Sequence, residues 1–573
     1  MSARPPEYSL GIDFGTESAR AVLVRLGDGA EIATSVHPYA HGVMDQVLPY
    51  TGEHLPLDTA LHDADDYLEA LTATITSVVT RSGVPPESIV GLGIDSTACT
   101  LVFTDADLAP LSRVDRFKSR HLAYVRLWKH HAAQRYADRI NQVARSREGL
   151  YLPSFGGSVN AEWLLPKALQ TMIAAPDVYQ AAERIIEAQD WIVSQLVGRE
   201  VRAASVAGYK ASYLQERGGY PPADFLDEVE PGFSSVLTKV GEEFLAPGER
   251  AGTLTPAWAE RLGLTATTAV AVGNTDAHVS VLGCGVVRPG TMVAVMGTSV
   301  CNLLVTEDRH EPHGIQGVVR DGIIPGMWGY EAGQAGVGDT FGWFAKHLAG
   351  ADIADRALIS GRSIFDVIES DAAELTPGEC GLLVLDWLSG NRSILVDSKL
   401  SGAIVGLTLA TRSHHIYRAL IEAAGFGQRI ILEAFEAAGI EVDRLVVCGG
   451  LPHKSPLLMQ TMADILNRPI EVSSSTNTPA VGAALHGALA ADALDSFEAG
   501  ARIAPTHAST YVPSPDRHVV YNDVFALYRE LHDDFGVTNT APMYRLRDLR
   551  DQAQARRPDS RAFRRKADHA QNH

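Results

Sequence analysis

The chain has 573 residues, a formal net charge of −20 and 46% hydrophobic residues, too long for one hydrophobic core, so at least two domains are expected. The acidic balance argues against nucleic acid as the main partner but not against nucleotides, which a few local donors hold. The five cysteines (Cys99, Cys284, Cys301, Cys380, Cys448) show no CxxC spacing, so no zinc site or redox pair is expected. MSARPPEYSL has no apolar signal region and no run of about 18 apolar residues occurs, so the expected location is the cytoplasm, without membrane contact.

YSLGID reads as a strand, FGTES as a turn, ARAVLV as a second strand and EIATSVHPY, from Glu31, as a third. No helix follows the glycine, so this meander is not a Rossmann unit. Residues 66–82 read as a helix, and VGLGIDSTACTLVFTD, from Val90, as strand–turn–strand. Residues 120–149 and 160–198 read as mostly helical. AVAVGNTDAHVSVLGCG, from Ala269, is a short strand ending at Gly273–Asn274, then a helix carrying Asp276. Pro289–Gly290 marks a turn.

TMVAVMGTSVCNLLV, Thr291 to Val305, then echoes the opening: apolar strand, Gly-Thr with a second hydroxyl residue, apolar strand. The echo predicts two related domains meeting near residue 285. SHHIYRALIEAAGFGQRIILEAFEAAG spaces apolar residues as a long amphipathic helix. RLVVCGG is a strand, KSPLLMQTMADILN a helix, PIEVS a strand and TPAVGAALHGALA a small-residue helix. The tail from Met543 holds nine Lys/Arg and four Asp/Glu. It reads as a solvated terminus, or alternatively as an arm that docks on an acidic face. The expected organisation is 1–285, 286–542 and a charged tail, 543–573.

Glycine lets backbone N–H groups approach an anion, and hydroxyls add donors, so paired Gly-Thr turns suit a polyphosphate. Asp13 ends the first strand ahead of its turn. A carboxylate beside triphosphate calls for a cation between them, and Mg²⁺ fits; the alternative is an aspartate capping its own turn. Gly449–Gly450 precede a helix expected near Ser455–Pro456, leaving room for a flat ring or phosphate, or forming a plain β–loop–α turn. Asp276 is a candidate base for a phosphoryl acceptor, or a solvated loop residue.

Taken together, GIDFGTESAR, GNTDAH, MGTS and CGG resemble, in order and approximate spacing, the FGGY family of carbohydrate kinases, within the actin/Hsp70/hexokinase ATPase superfamily. The resemblance spans about residues 8–540. GAIVGLTLATRSHHIYRALIEA resembles the family's second signature, with Leu420 where a smaller or β-branched residue is more usual. LWKHHAAQ and YEAGQAGVGDTFGWF are most similar to the ribulokinase branch. Trp128 is followed by Lys129, His130 and His131 rather than the Asp and Arg of many xylulose and glycerol kinases.

The resemblance implies an α/β protein with two RNase-H-like domains flanking a cleft. It implies ATP–Mg²⁺-dependent phosphorylation of L-ribulose at C5, in L-arabinose catabolism, and a possible homodimer. Asp276 would be the base. Trp128, Lys210, Glu331 and the backbone near Ala98 would line the sugar, and Asp13 would hold the metal. Gly15, Thr16, Ser18 and Arg20, with Gly297, Thr298 and Ser299, would face the triphosphate. Gly449, Gly450 and Lys454 would lie beside adenosine.

Each has a plainer alternative: Trp128 in the core, Lys210 at the surface, Glu331 capping a helix, Arg20 paired with a carboxylate. The pairs His130–His131 and His414–His415 read as polar helix residues, with His130 or His131 an option for sugar hydroxyls. Two other functions remain open: a kinase for another pentulose or pentitol (D-ribulose, xylulose, ribitol), and an actin- or Hsp70-like ATPase without sugar.

Overall fold

The computed structural model describes residues 6–148 and 152–555. Two seven-stranded sheets dominate. In the first, the spatial order is Glu31–Pro38, Ser18–Arg25, Tyr8–Phe14, Ile89–Ser96, Ala269–Ala271, Arg250–Thr253, with Asn274–Thr275 also on Ile89–Ser96. The first three strands run antiparallel. Ile89–Ser96 and Ala269–Ala271 then add in parallel, and Arg250–Thr253 closes the edge antiparallel.

The second sheet repeats this plan. Trp328–Gln334, Val300–Thr306 and Gly290–Met296 form the antiparallel meander. Val442–Cys448 and Ile470–Ser473 add in parallel, and His507–Tyr511 closes the edge antiparallel. Gly317–Arg320 extends the other edge. Antiparallel meander plus parallel strands is the RNase-H-like arrangement, present in both halves as the repeated Gly-Thr hairpins predict. A separate four-stranded sheet (Leu61–His62, Val125–Arg126, Leu101–Thr104, Arg184–Glu187) and helices are inserted between the strands of the first sheet, on either side of Ile89–Ser96.

Helices Asp276–Gly283 and Thr478–Ala490 lie at the junction of the halves. Their apolar residues Val281, Leu282, Val481 and Leu485 share one buried cluster with Val22 and Val24 of the first sheet and Val293 and Leu303 of the second. The second helix presses so closely on the first sheet that a Cβ at Gly11 would fall 1.7 Å from the Ala480 carbonyl oxygen, and one at Gly93 1.8 Å from that of Ala483. Glycine at these two positions sets the approach distance.

The predicted elements of the second half stand as Ser413–Ala437, Val442–Cys448, Pro456–Leu466, Ile470–Ser473 and Thr478–Ala490. The expected helix over 120–149 does not. Only Gln134–Ser146 is α-helical among its described residues; 120–133 hold a short 3-10 turn, the strand Val125–Arg126 and loop. Here Leu122, Ala123, Val125 and Leu127 are buried without a helical face, so their apolar spacing reports a packed loop. Arg184–Glu187, inside the second expected helical stretch, is a strand paired with Leu101–Thr104. The tail begins with a helix, Ala541–Ala555, that docks: Met543 is buried, Tyr544 Oη donates to Asp397, and Arg547 Nη1 donates to the Ser398 carbonyl at 2.6 Å. The basic residues from 556 onward lie outside the described residues.

Candidate active site

Two copies of one tetrapeptide build the floor of the site. Leu10-Gly11-Ile12-Asp13 and Leu92-Gly93-Ile94-Asp95 lie side by side on parallel strands in matching register, so Asp13 stands beside Asp95. Alternation along a strand puts each aspartate on the face of the glycine two residues before it, the face that helix Thr478–Ala490 covers. The third strand end, Asn274–Thr275, pairs with Asp95–Ser96, and Asp276 follows as the first residue of its helix. Three strand ends therefore deliver Asp13, Asp95 and Asp276 to one place.

Their electrostatics reflect that crowding. Asp95 is fully buried and neither carboxyl oxygen meets a donor group of the protein. Burial first, and then the charges of Asp13 and Asp276, push its pKa well above the carboxylate range. The two carboxyls stand close enough for a hydrogen bond between them, which favours the proton on Asp95. Burial raises Asp13 as well, against that hydrogen bond and the cation of Arg20 opposite it on the neighbouring strand. Asp276 is pushed up to about 7, mostly by burial and then by the Asp13 charge, against a 2.7 Å hydrogen bond from its own helix at Ala277 N–H. A carboxylate titrating near neutrality is suited to take up a proton.

Beside Asp276 lies a charged chain crossing between the halves. Lys210, at the end of helix Ala204–Lys210, donates to Glu331 Oε1, and His278 Nε2 donates to Glu331 Oε2 at 3.0 Å. Glu331 comes from the second sheet and is buried. Despite burial, the Lys210 and His278 contacts hold its carboxyl far below the usual range, while Glu331 raises Lys210 against its own desolvation. The alternative of Glu331 as a helix cap is excluded, since it lies in a strand, and Lys210 is no surface lysine. His278 itself is shifted down by burial.

Trp128 is half-buried, and its Nε1 donates to Thr16 Oγ1 at 3.2 Å, tying the segment after Leu127 to the first Gly-Thr turn. In that turn Gly15 N–H donates to the Ser18 carbonyl at 3.0 Å; in the second, Gly297 N–H donates to that of Ser299 at 2.9 Å. Both turns are tight, and the Thr298 and Ser299 hydroxyls make no hydrogen bond among the described residues. Arg20 Nη1 reaches the Thr476 carbonyl at 3.5 Å, so beside Asp13 it serves both structure and local charge.

Gly449, at φ +95°, lies where a Cβ would meet the Met296 carbonyl oxygen at 2.4 Å, so the CGG segment abuts the second turn. Gly450 faces open space. The glycines lead into a one-turn helix, Gly450–Lys454, before the expected helix starts at Pro456 with Ser455 as its cap. Lys454 is exposed at the end of that turn. Ala98 sits in the loop after Asp95, half-buried, its carbonyl accepting from Thr100 Oγ1 at 3.3 Å.

His414 and His415 lie in helix Ser413–Ala437, as expected; the reading of His130–His131 is corrected. His130 lies outside any helix, fully buried, donating to Gln170 Oε1 at 2.9 Å, with no exposure to offer a sugar. His131 donates to Glu162 at 3.0 Å. A cleft of about 1190 Å³ opens between the halves, with Trp128, Lys129 and His131 on one wall and Asp339, Arg392 and Arg547 on the other.

Sequence reasoning missed Asp95. Its signal was present, since LGID occurs at 10–13 and again at 92–95. Only pairing in register shows that the repeat brings two carboxylates together.

Duplicated RNase-H-like sheets, with glycine turns at their hairpins and a near-neutral carboxyl at their junction, define a phosphotransferase acting on an alcohol acceptor. Residues 8–283 match the N-terminal domain, and residues 292–491 the C-terminal domain, of the FGGY family of carbohydrate kinases. The chain belongs to that family. It is similar to the ribulokinase of Halalkalibacterium halodurans, 45% identical over 95% of this chain and 98% of that protein. It is likewise similar to the ribulokinase of Mycolicibacterium smegmatis, 46% identical over 96% and 98%. Among solved structures, xylulose kinase from Rhodospirillum rubrum shares the fold with a TM-score of 0.74, 20% identity, and coverage of 92% of this chain and 99% of that one.

Proposed function

We propose that the protein transfers the γ-phosphoryl group of ATP to the C5 hydroxyl of L-ribulose, yielding L-ribulose 5-phosphate and ADP for L-arabinose catabolism. The carrying observation is Asp276: a carboxyl raised to about 7, at the meeting of both halves, within the electrostatic reach of a buried Lys210–Glu331 pair. The similarity to ribulokinases supports the substrate.

Asp276 accepts the C5 hydroxyl proton as that oxygen bonds to the γ-phosphorus and the bond to the β–γ bridging oxygen breaks, ADP leaving. Lys210, Glu331, Trp128 and the Ala98 backbone orient the pentulose, so the hydroxyl meets the base rather than water. The Gly15–Ser18 and Gly297–Ser299 turns present donors to the phosphates. Gly449, Gly450 and Lys454 border the adenosine. Closure of the cleft excludes water and suppresses idle hydrolysis.

Mg²⁺ fits the carboxylates present. Asp95 has orphaned, fully buried oxygens beside Asp13, and crowded carboxyls whose charged forms are disfavoured by burial accept a cation readily. Asp13 would hold the ion and Asp95 support it, and Mg²⁺ there would neutralise phosphate charge. Among the described residues no helix is long and apolar enough to cross a membrane; the cytoplasmic location is part of this proposal.

The test is ADP release by purified protein against L-ribulose, D-ribulose, L- and D-xylulose and ribitol, with ³¹P NMR of the product. L-Ribulose should give the highest kcat/KM and a C5 phosphate ester. Preference for another pentulose by tenfold reassigns the substrate. ATP turnover indifferent to every sugar refutes the kinase reading.

A further inference from the structure

Beneath the sugar-lining segments lies a lysine that none of the roles above uses. Lys167, in helix Leu164–Ala174, is fully buried. Its Nζ donates to the Cys99 carbonyl at 2.6 Å and the Leu127 carbonyl at 2.7 Å, with the Arg126 carbonyl at 3.4 Å. No carboxylate forms an ion pair with it among the described residues. Burying an ammonium is costly unless strong acceptors meet it, and desolvation lowers its pKa to about 8. A group this expensive, spent on two carbonyls distant in sequence, is placed for what it joins.

Each carbonyl belongs to a residue adjacent to the sugar site. Cys99 follows Ala98 and holds φ +57°, a left-handed conformation rare and unfavourable for a side-chain-bearing residue, which needs an external restraint. Leu127 precedes Trp128. The loop has a second tether from the same layer: Thr100 N–H donates to Glu187 Oε2 at 2.9 Å, and Glu187 is itself buried. Trp128 in turn reaches Thr16 of the first phosphate turn.

We infer that Lys167 is a positioning residue for sugar recognition: its ammonium ties the Ala98 loop to the Trp128 segment and sets the width of the pentulose subsite. This rests on the reading that Ala98 and Trp128 line the sugar. The adenosine side of the cleft and the second phosphate turn hang on the second sheet and do not share the tie; the first phosphate turn meets it only through the Trp128–Thr16 hydrogen bond and is held by its own strand hairpin. Loss of the tie therefore acts on sugar affinity far more than on ATP affinity.

The experiment compares steady-state constants of K167M, K167Q, T171V and W128F with wild type, using L-ribulose and ATP. K167M keeps an unbranched apolar stem one atom shorter than lysine and removes its donors. T171V removes a hydroxyl that bonds within the same helix and accepts from Arg126; it loosens the helix while leaving the Lys167 donations to Cys99 and Leu127, and the Arg126 bond to the Lys167 carbonyl, in place. The expected result for K167M is a sugar KM raised tenfold or more, with ATP KM within twofold. T171V should lower thermal stability and leave sugar KM within twofold. If K167M is insoluble, K167Q, whose shorter amide reaches one carbonyl at most, is decided by the same split. An unchanged sugar KM, a parallel rise in both KM values, or an equal rise in T171V overturns the inference. W128F separates the two readings. Sugar KM unmoved in W128F refutes the sugar site itself; moved in W128F but unmoved in K167M or K167Q, it refutes the role of Lys167 alone.

Discussion

Replacing Glu331 with glutamine tests the charged chain across the junction. Glu331 is 5% exposed and both its oxygens are engaged, one by Lys210 and one by His278 at 3.0 Å. E331Q keeps the shape and one acceptor but strips Lys210 of its counter-ion within the protein. Breaking a buried pair on one side costs about 3–5 kcal/mol; the retained acceptor offsets about 1 kcal/mol, leaving a loss of roughly 2–4 kcal/mol. Urea unfolding at pH 7 measures it. The sign with pH follows from the depressed carboxyl of Glu331. A group lowered in the folded state stabilises fully above its unfolded pKa, for which 4.5 is the reference value, and loses that contribution progressively as pH falls below it. The gap between wild type and E331Q should thus be constant from about pH 8 to 5 and narrow in more acid solution. Because the Glu331 charge also raises Asp276, the acid limb of activity should move to lower pH in E331Q. A stability change under about 0.5 kcal/mol, with an unmoved limb, refutes the reasoning.

Asp276 works as a base only when ionised, so kcat/KM for sugar should rise with pH through about 7 and level off above; a profile flat from pH 5.5 to 8.5 contradicts it. Asp13→Asn should raise the Mg²⁺ concentration for half-maximal activity at least tenfold, measured by Mg²⁺ titration at fixed ATP. Gly93→Ala inserts a Cβ only 1.8 Å from the Ala483 carbonyl oxygen, forcing the Thr478–Ala490 helix outward. Urea unfolding should show a loss of about 1–3 kcal/mol.

Much of this was legible because the fold repeats itself locally. The hairpins at Gly15–Ser18 and Gly297–Ser299 carry turn residues between β-rich runs, and the helix Ser413–Ala437 keeps its apolar face through seven turns of spacing. What escaped depends on contacts distant in the chain. The 120–133 segment is a buried loop pinned to helix Leu164–Ala174, by its own Arg126 donating to the Lys167 carbonyl and by Lys167 donating to the Leu127 carbonyl, and no helical period governs it. Asp95 gains meaning only from its register with Asp13. Lys167 looks like an ordinary helix lysine until its partners, 68 and 40 residues away, are known. Trp128, Lys210 and Glu331 were reachable through likeness to a family, since nothing in their spacing joins residues from three separate elements.

The most direct test of the central claim is Asp276→Asn. The amide keeps the side-chain shape but cannot accept the proton of the C5 hydroxyl. Turnover of L-ribulose should fall by about 100- to 10,000-fold while the Kd for ATP stays within twofold of wild type. Turnover within fivefold of wild type would contradict the assignment of Asp276 as the base.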